Sequence, residues 1–159
     1  KAVLATTPDR VLDLLADASD DERRRFGAWE GSEATTVVHT DTGLYRRRGI
    51  RYFSEFDLFH TAAGLRGYNA YLNRLCAVPA SAGVHYSLAY GIDEEIDPAS
   101  VVHRQPHRTP LYTVEAMRTR EEIQATNGER DTVFAGAWLD DGLHEGAIRS
   151  GLEAARLVG

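Results

Sequence analysis

The stretch VFAGAWLDDGLHEGAIRSGLEAARLVG, residues 133–159, decides how this chain is read. It opens as an apolar strand, turns at Gly136, crosses a short acidic loop and continues as a helix from near His144. A strand that ends on glycine lets main chain come close to whatever lies above the sheet edge. A helix that starts just beyond presents unpaired N–H groups and the positive end of its dipole. The junction is therefore expected to be an anion or polar-acceptor site. Within the helix Ala147, Gly151 and Ala155 recur at a spacing of four, a small-residue stripe suited to close packing against a sheet or a flat ligand. Arg149, Glu153 and Arg156 fall on the outer side at ion-pair spacings. An amphipathic helix that simply closes a core has the same pattern.

Working outward, AVLATTP at the beginning reads as a buried strand ended by small residues and Pro8. A chain that begins inside a core strand is expected to be a piece of a longer or processed one. PDRVLDLLAD reads as a helix with proline in its first turn. SDDERRRFGAW reads as a second, with Ser19 and Glu22 at capping-box spacing and Gly27 at its end. The period then changes to two in ATTVVHT, IRYFSEFDLF, GYNAYLNRL and VHYSLAYG, the pattern of antiparallel strands. In the last of these Val84, Tyr86, Leu88 and Tyr90 share one face. Pro106 and Pro110 mark strand edges or bends, and Thr113 caps a polar helix that stops at Asn127-Gly128.

This order predicts a mixed α+β fold. Residues 1–28 and 129–159 form one α/β unit, and a mainly antiparallel sheet, residues 29–128, is inserted between them. Tyr52, Phe53, Phe56, Tyr68, Tyr71, Tyr86 and Tyr90 read first as core of that sheet and second as the wall of an apolar pocket.

Composition sets the bounds. The chain has 159 residues, 43% hydrophobic and 26% charged, enough for one substantial core. No apolar run approaches the ~20 residues that span a bilayer, so no membrane span is expected. The single cysteine, Cys76, forms no intrachain disulfide, which suits a cytoplasmic setting, and within LNRLCAV it reads as a buried apolar residue. A net charge of −6 disfavours nucleic acid as a partner. Tyr45-Arg46-Arg47-Arg48 is a local exception, of a kind usually solvated. His103 and His107 are four apart, but Pro106 breaks the helix that would align them, and no metal site is expected.

Here the residues carry a resemblance. VFAGAWLDDGLHEGAIRSGLEAA resembles the C-terminal flavin-binding segment of the FAD-dependent amine oxidase superfamily, which includes monoamine oxidases, protoporphyrinogen oxidase and carotenoid desaturases. VLATTPDRVLDLL, VVHTDTGLYRRR, YNAYLNRLC, IDPASVVHRQPHRTPLYT and the closing segment are together similar, in order, to a bacterial branch described as predicted NAD/FAD-binding proteins. The resemblance implies FAD as cofactor and hydride transfer from an organic small-molecule substrate to the flavin, and the aromatic-rich sheet points to an apolar one. It implies that Gly136, Ala137 and Trp138 line the ribityl side, and that Leu143, His144, Glu145, Gly146 and Ala147 face the ring. The opening strand becomes the edge near the nucleotide.

Three departures shape these expectations. Ala137 stands where many members carry an acidic residue, so ribityl contacts are expected from backbone alone. Leu143 holds the place of the aromatic residue that cages a substrate amine, so amine oxidation is not expected. The Gly-x-Gly-x-x-Gly fingerprint is absent, and the phosphates are expected to be held by a preceding N-terminal dinucleotide-binding segment. The chain alone should then bind FAD weakly or not at all and be inactive. The alternative expectation is a free-standing α+β binding module without cofactor or catalysis.

Overall fold

The computed structural model describes residues 1–61 and 64–159. It is a mixed α+β structure of two compact units, Lys1–Ser32 with Arg108–Gly159, and Glu33–His107. An inserted sheet-bearing segment thus separates two pieces of one unit, with both boundaries inside strands. The second boundary falls at 107/108 and not near 128. The intervening helix, Val114–Ala125, buries Ala116 and Ile123 in the same cluster as Phe26, Phe134 and Trp138.

In the first unit, β1 (Ala2–Leu4) pairs in parallel with β7 (Thr132–Phe134), register Val3 to Val133. Pro8 starts a 3-10 turn, Pro8–Arg10, that leads into a single α turn, α1 (Val11–Leu14). The predicted longer helix is cut short by the extended backbone of Leu15. α2 (Asp20–Gly27) has the expected capping box: Ser19 Oγ accepts from Glu22 N, and the Glu22 carboxylate accepts from Ser19 N at 2.7 Å. α5 (Val114–Ala125) is capped by Thr113, whose hydroxyl accepts from Ala116 N. The core is aromatic: Phe26 lies 4.7 Å from Phe134 in a tilted contact and Trp29 lies 5.3 Å from Trp138 in an edge-to-face one, measured between ring centroids.

β7 is blocked along its outer edge. The Asn127 amide donates to Phe134 O at 2.9 Å and accepts from Phe134 N at 2.7 Å, replacing a strand with a side chain. β1 has no second strand partner among the described residues. Parallel sheets are normally larger and covered on both faces, so an open β1 edge is unusual.

The second unit is built on a sheet of order β3-β4-β5-β2-β6. Its strands are β2 (Glu30–His39), β3 (Phe56–Thr61), β4 (Gly64–Tyr71), β5 (Ser87–Tyr90) and β6 (Val101–Leu111). The pairs β3/β4, β4/β5 and β2/β5 are antiparallel. β6 carries Pro106 and Pro110 and lies at the sheet edge, where a missing N–H is tolerated.

Side-chain alternation separates two faces. Asn69, Ala89 and Val37 stand opposite one another across β4, β5 and β2 and are buried. Tyr68 and Tyr90 stand on the other face, half-buried, and stack at 5.2 Å. None of the seven aromatics expected in the core is buried, and Tyr52 and Phe56 are exposed. The core uses Val37, Leu44, Phe59, Ala89, Ile92 and Ile96 instead. Register accounts for three of them: Phe56, Tyr68 and Tyr90 fall on the open side of the pleat, whereas Tyr71 shares the face of Asn69 at the end of β4, and Tyr52, Phe53 and Tyr86 lie outside the strands.

Of two local readings, the basic run keeps Arg46, Arg47 and Arg48 exposed as expected, and the buried place of Cys76 is corrected. The run Tyr45–Arg48 belongs to α3 (Gly43–Arg47), whose Leu44 and Tyr45 are fully buried. Arg47 pairs with Asp41 at 3.2 Å, and Arg48 pairs with Glu95 and lies over the Phe59 ring. Strand β4 ends in a helical turn, α4 (Leu72–Leu75), and Cys76 caps it in an exposed position rather than a buried one. Ala77 then adopts a left-handed φ of 51°, which carries the chain outward.

Among the described residues no helix is long and apolar enough to cross a membrane. Among the described residues no group of three or more His, Cys, Asp or Glu side chains converges.

Candidate functional site

The junction that follows β7 has a defined local cause. Gly136 takes φ 156°, and a Cβ there would lie 2.5 Å from Trp138 Nε1. The chain then makes a 3-10 turn, Ala137–Leu139, and enters α6 (His144–Val158). Gly136 N donates to Ser150 Oγ at 3.0 Å, and Gly136 O accepts from Leu139 N at 3.1 Å. Ala137 O accepts from Asp140 N and Gly142 N. The polar main chain that sequence assigns to a ribityl contact is thus largely used within the turn.

Trp138 faces inward. It is 3% exposed, and its Nε1 donates to Thr6 O at 3.0 Å. In this arrangement the indole covers Gly136 and belongs to the aromatic core with Phe26 and Trp29.

The helix start is more open. Asp141 Oδ1 accepts from Leu143 N at 2.7 Å and from Gly146 N at 3.1 Å. The amides of His144 and Glu145 have no partner among the described residues, which is the expected condition at a helix start. Leu143, His144, Glu145 and Ala147 are exposed, whereas Gly146 is buried beneath Asp141. The Glu145 carboxylate pairs with Arg149 at 3.2 Å, and Arg149 also reaches Asp140. Asp141 and Glu145 together offset the positive end of the dipole. Tyr112 lies beside this loop: burial pushes its phenol pKa up, Arg120 opposes that, and the Asp141 charge adds to it.

The small-residue stripe is not the packing face. Ser150, Ala154 and Leu157 turn toward β7 and its end, with Ala154 in a cluster with Val133 and Ala135. Ala147, Gly151 and Ala155 are exposed, next to Ile148 and Leu152 at 59% and 58%. An exposed apolar stripe of this width on one helix marks a surface that normally receives something.

Of the eight residues expected to hold a cofactor, the structure leaves Leu143, His144, Glu145 and Ala147 on one accessible helix end, and folds Trp138 and Gly146 into the chain's own packing. None of the eight lines the cavity of about 640 Å3 between α5 and α6, which is bordered by Asn127, Leu139, Asp140, Arg149, Leu152 and Arg156. The cap Asp141 escaped the sequence reading, although an aspartate three residues before a helix start, followed by glycine, is a recognisable turn signal.

No protein-family model matches the chain, and no curated protein matches it.

Proposed function

We propose that this chain is the C-terminal part of a cytoplasmic FAD-dependent oxidoreductase, meeting the flavin at the start of α6, with the phosphates held by a preceding dinucleotide-binding segment. The observation that carries the reading is the parallel β1–β7 pair backed by α6. Its open β1 edge, unpartnered His144 and Glu145 amides and exposed apolar helix face lie in one unit.

The residues fit a flavin in part. The helix start offers two N–H donors and a free imidazole on His144 to an electron-rich ring edge. The Gly136 turn does not fit a ribityl chain while Trp138 covers it, and no ribityl contact is assigned to Gly136, Ala137 or Trp138. Bound FAD would supply a two-electron acceptor for hydride from an apolar small-molecule substrate. This chain's share is to orient the ring through the His144 and Glu145 amides and to exclude water with Leu143, Ala147 and Ile148.

A second reading is a binding module without cofactor. The Asp141 cap and the indole over Gly136 favour it, because both satisfy the junction internally. One experiment separates the two. The whole reading frame, including any segment encoded ahead of Lys1, is expressed, and its visible spectrum and FAD fluorescence titration are recorded. The flavin reading expects copurifying flavin or saturable quenching, weakened severalfold by Gly146→Val, whose side chain would collide with Asp141 and disturb the helix start. A colourless product that leaves FAD fluorescence unchanged sinks it and leaves the module.

A further inference from the structure

We propose that the loop folded over α4 forms a small-anion site, in which Arg74, His85 and Tyr71 converge on a cavity that receives a carboxylate or phosphate group with a short apolar tail. The inference stands apart from the flavin reading, since every residue it uses lies in the sheet-bearing unit.

The cavity has a volume of about 200 Å3, roughly the space of six water molecules. Tyr71, Asn73, Arg74, Val78, Val84 and His85 line it, and no acidic residue does. Its walls are held before any ligand arrives. Asn73 Nδ2 donates to Val84 O at 2.7 Å, Asn73 Oδ1 accepts from Tyr86 N at 2.7 Å, and Asn73 O accepts from Val78 N at 2.9 Å. A single buried asparagine thus pins three points of the loop. Gly83 closes it with a left-handed φ of 65°.

The polar groups are held too. Tyr71 Oη lies 2.6 Å from His85 Nδ1, and Phe53 stands edge-on to both rings at 5.0 and 5.3 Å. With the phenol donating to Nδ1, the remaining imidazole hydrogen sits on Nε2, a donor with no partner among the described residues. The Arg74 guanidinium lies 4.6 Å over the Tyr52 ring and donates to the Tyr52 phenol.

Charge is the deciding observation. Arg47, Arg48, Arg66 and Arg104 of the same unit each pair with a carboxylate, whereas Arg46, Arg51 and Arg74 have none among the described residues, and of these three only Arg74 borders the cavity. Arg74 has no ion-pair partner among the described residues and is positioned by a phenol instead, with Glu55 acting on it only at longer range. A pre-oriented planar fork beside an imidazole N–H, with Val78 and Val84 in the cavity lining, matches an oxyanion with a small hydrocarbon tail.

The full chain is titrated with propionate and, separately, with methyl phosphate at constant ionic strength, while NMR follows the His85 ring and the Gly83 and Val84 amides. Saturable shifts are expected with at least one of the two, and the tighter one identifies the group as carboxylate or phosphate. Arg74→Gln is expected to weaken that affinity at least tenfold, and Arg74→Lys, which keeps the charge and the fold, severalfold. Shifts that stay linear, that chloride reproduces, or that keep their affinity in Arg74→Gln overturn the proposal. Should that variant fail to fold, unchanged affinity in Arg74→Lys overturns it equally.

Discussion

Replacing Asn69 with leucine tests the polar thread through the second unit. Asn69 is fully buried. Its Oδ1 accepts from His39 Nε2 at 2.8 Å, and its Nδ2 donates to Tyr45 Oη at 2.5 Å. The His39 tautomer follows from its other side, where Nδ1 accepts from Asp41 N at 3.1 Å and so carries no hydrogen. Leucine fills a similar volume and opens little cavity, so the cost is polar. The orphaned His39 N–H contributes about 1–3 kcal/mol and the lost Tyr45 bond about 0.5–1.5 kcal/mol. Tyr45 keeps further contacts with Ser87 and Asp57, which limits its share. The sum is centred near 3 kcal/mol, about a hundredfold in the unfolding equilibrium. Urea denaturation of the variant at neutral pH measures it. His39→Leu added to Asn69→Leu should recover part of the loss, because removing both partners costs less than stranding one. A loss below about 1 kcal/mol, or a double variant less stable than the two single losses added together, refutes the network as drawn.

Other outcomes follow from the same structure. Burial depresses the His39 pKa, against the opposing effects of Asn69 and Asp41, so the unfolded chain takes up this proton at higher pH than the folded one. Stability is then full above the unfolded value near 6.5 and falls as pH drops from there toward the depressed folded value; His39→Gln should remove that phase from a stability–pH curve. The Asp41 carboxyl is held low: burial works to raise it, but the Asp97 and Gly43 amides and Arg47 outweigh burial, so its contribution is lost only at more acid pH. Gly67→Ala should destabilise by roughly 3 kcal/mol or more in denaturant melts, since the new Cβ would overlap the Tyr90 carbonyl oxygen on the paired strand. A wild-type melt for that variant contradicts the β4–β5 register.

Much of the local architecture was legible because it rests on contacts close in sequence. The capping box of Ser19 and Glu22, the Thr113 cap, the start of α6 at His144 and the edge prolines of β6 are each set within a few residues. Periodicity likewise announced strands and a mixed α+β fold. It did not say which face of each strand is inside, because a pleat with half-buried aromatics and one with half-buried aliphatics share the same period. The sheet order resolved that by placing Asn69, Ala89 and Val37 in one row and stacking Tyr68 on Tyr90 in the other.

The candidate sites divide in the same way. The amino-acid order alone marked a strand, a glycine turn and a helix start at residues 133–147, since turn geometry and helix ends are short-range matters. Whether that junction stands open was settled by groups distant in the chain: Thr6 draws the Trp138 indole over Gly136 across 132 positions. Arg74 and His85 meet only because β4 turns into α4 and a pinned loop returns over it. Such side chains gain nothing from their sequence neighbours, and their meeting is decided by packing alone.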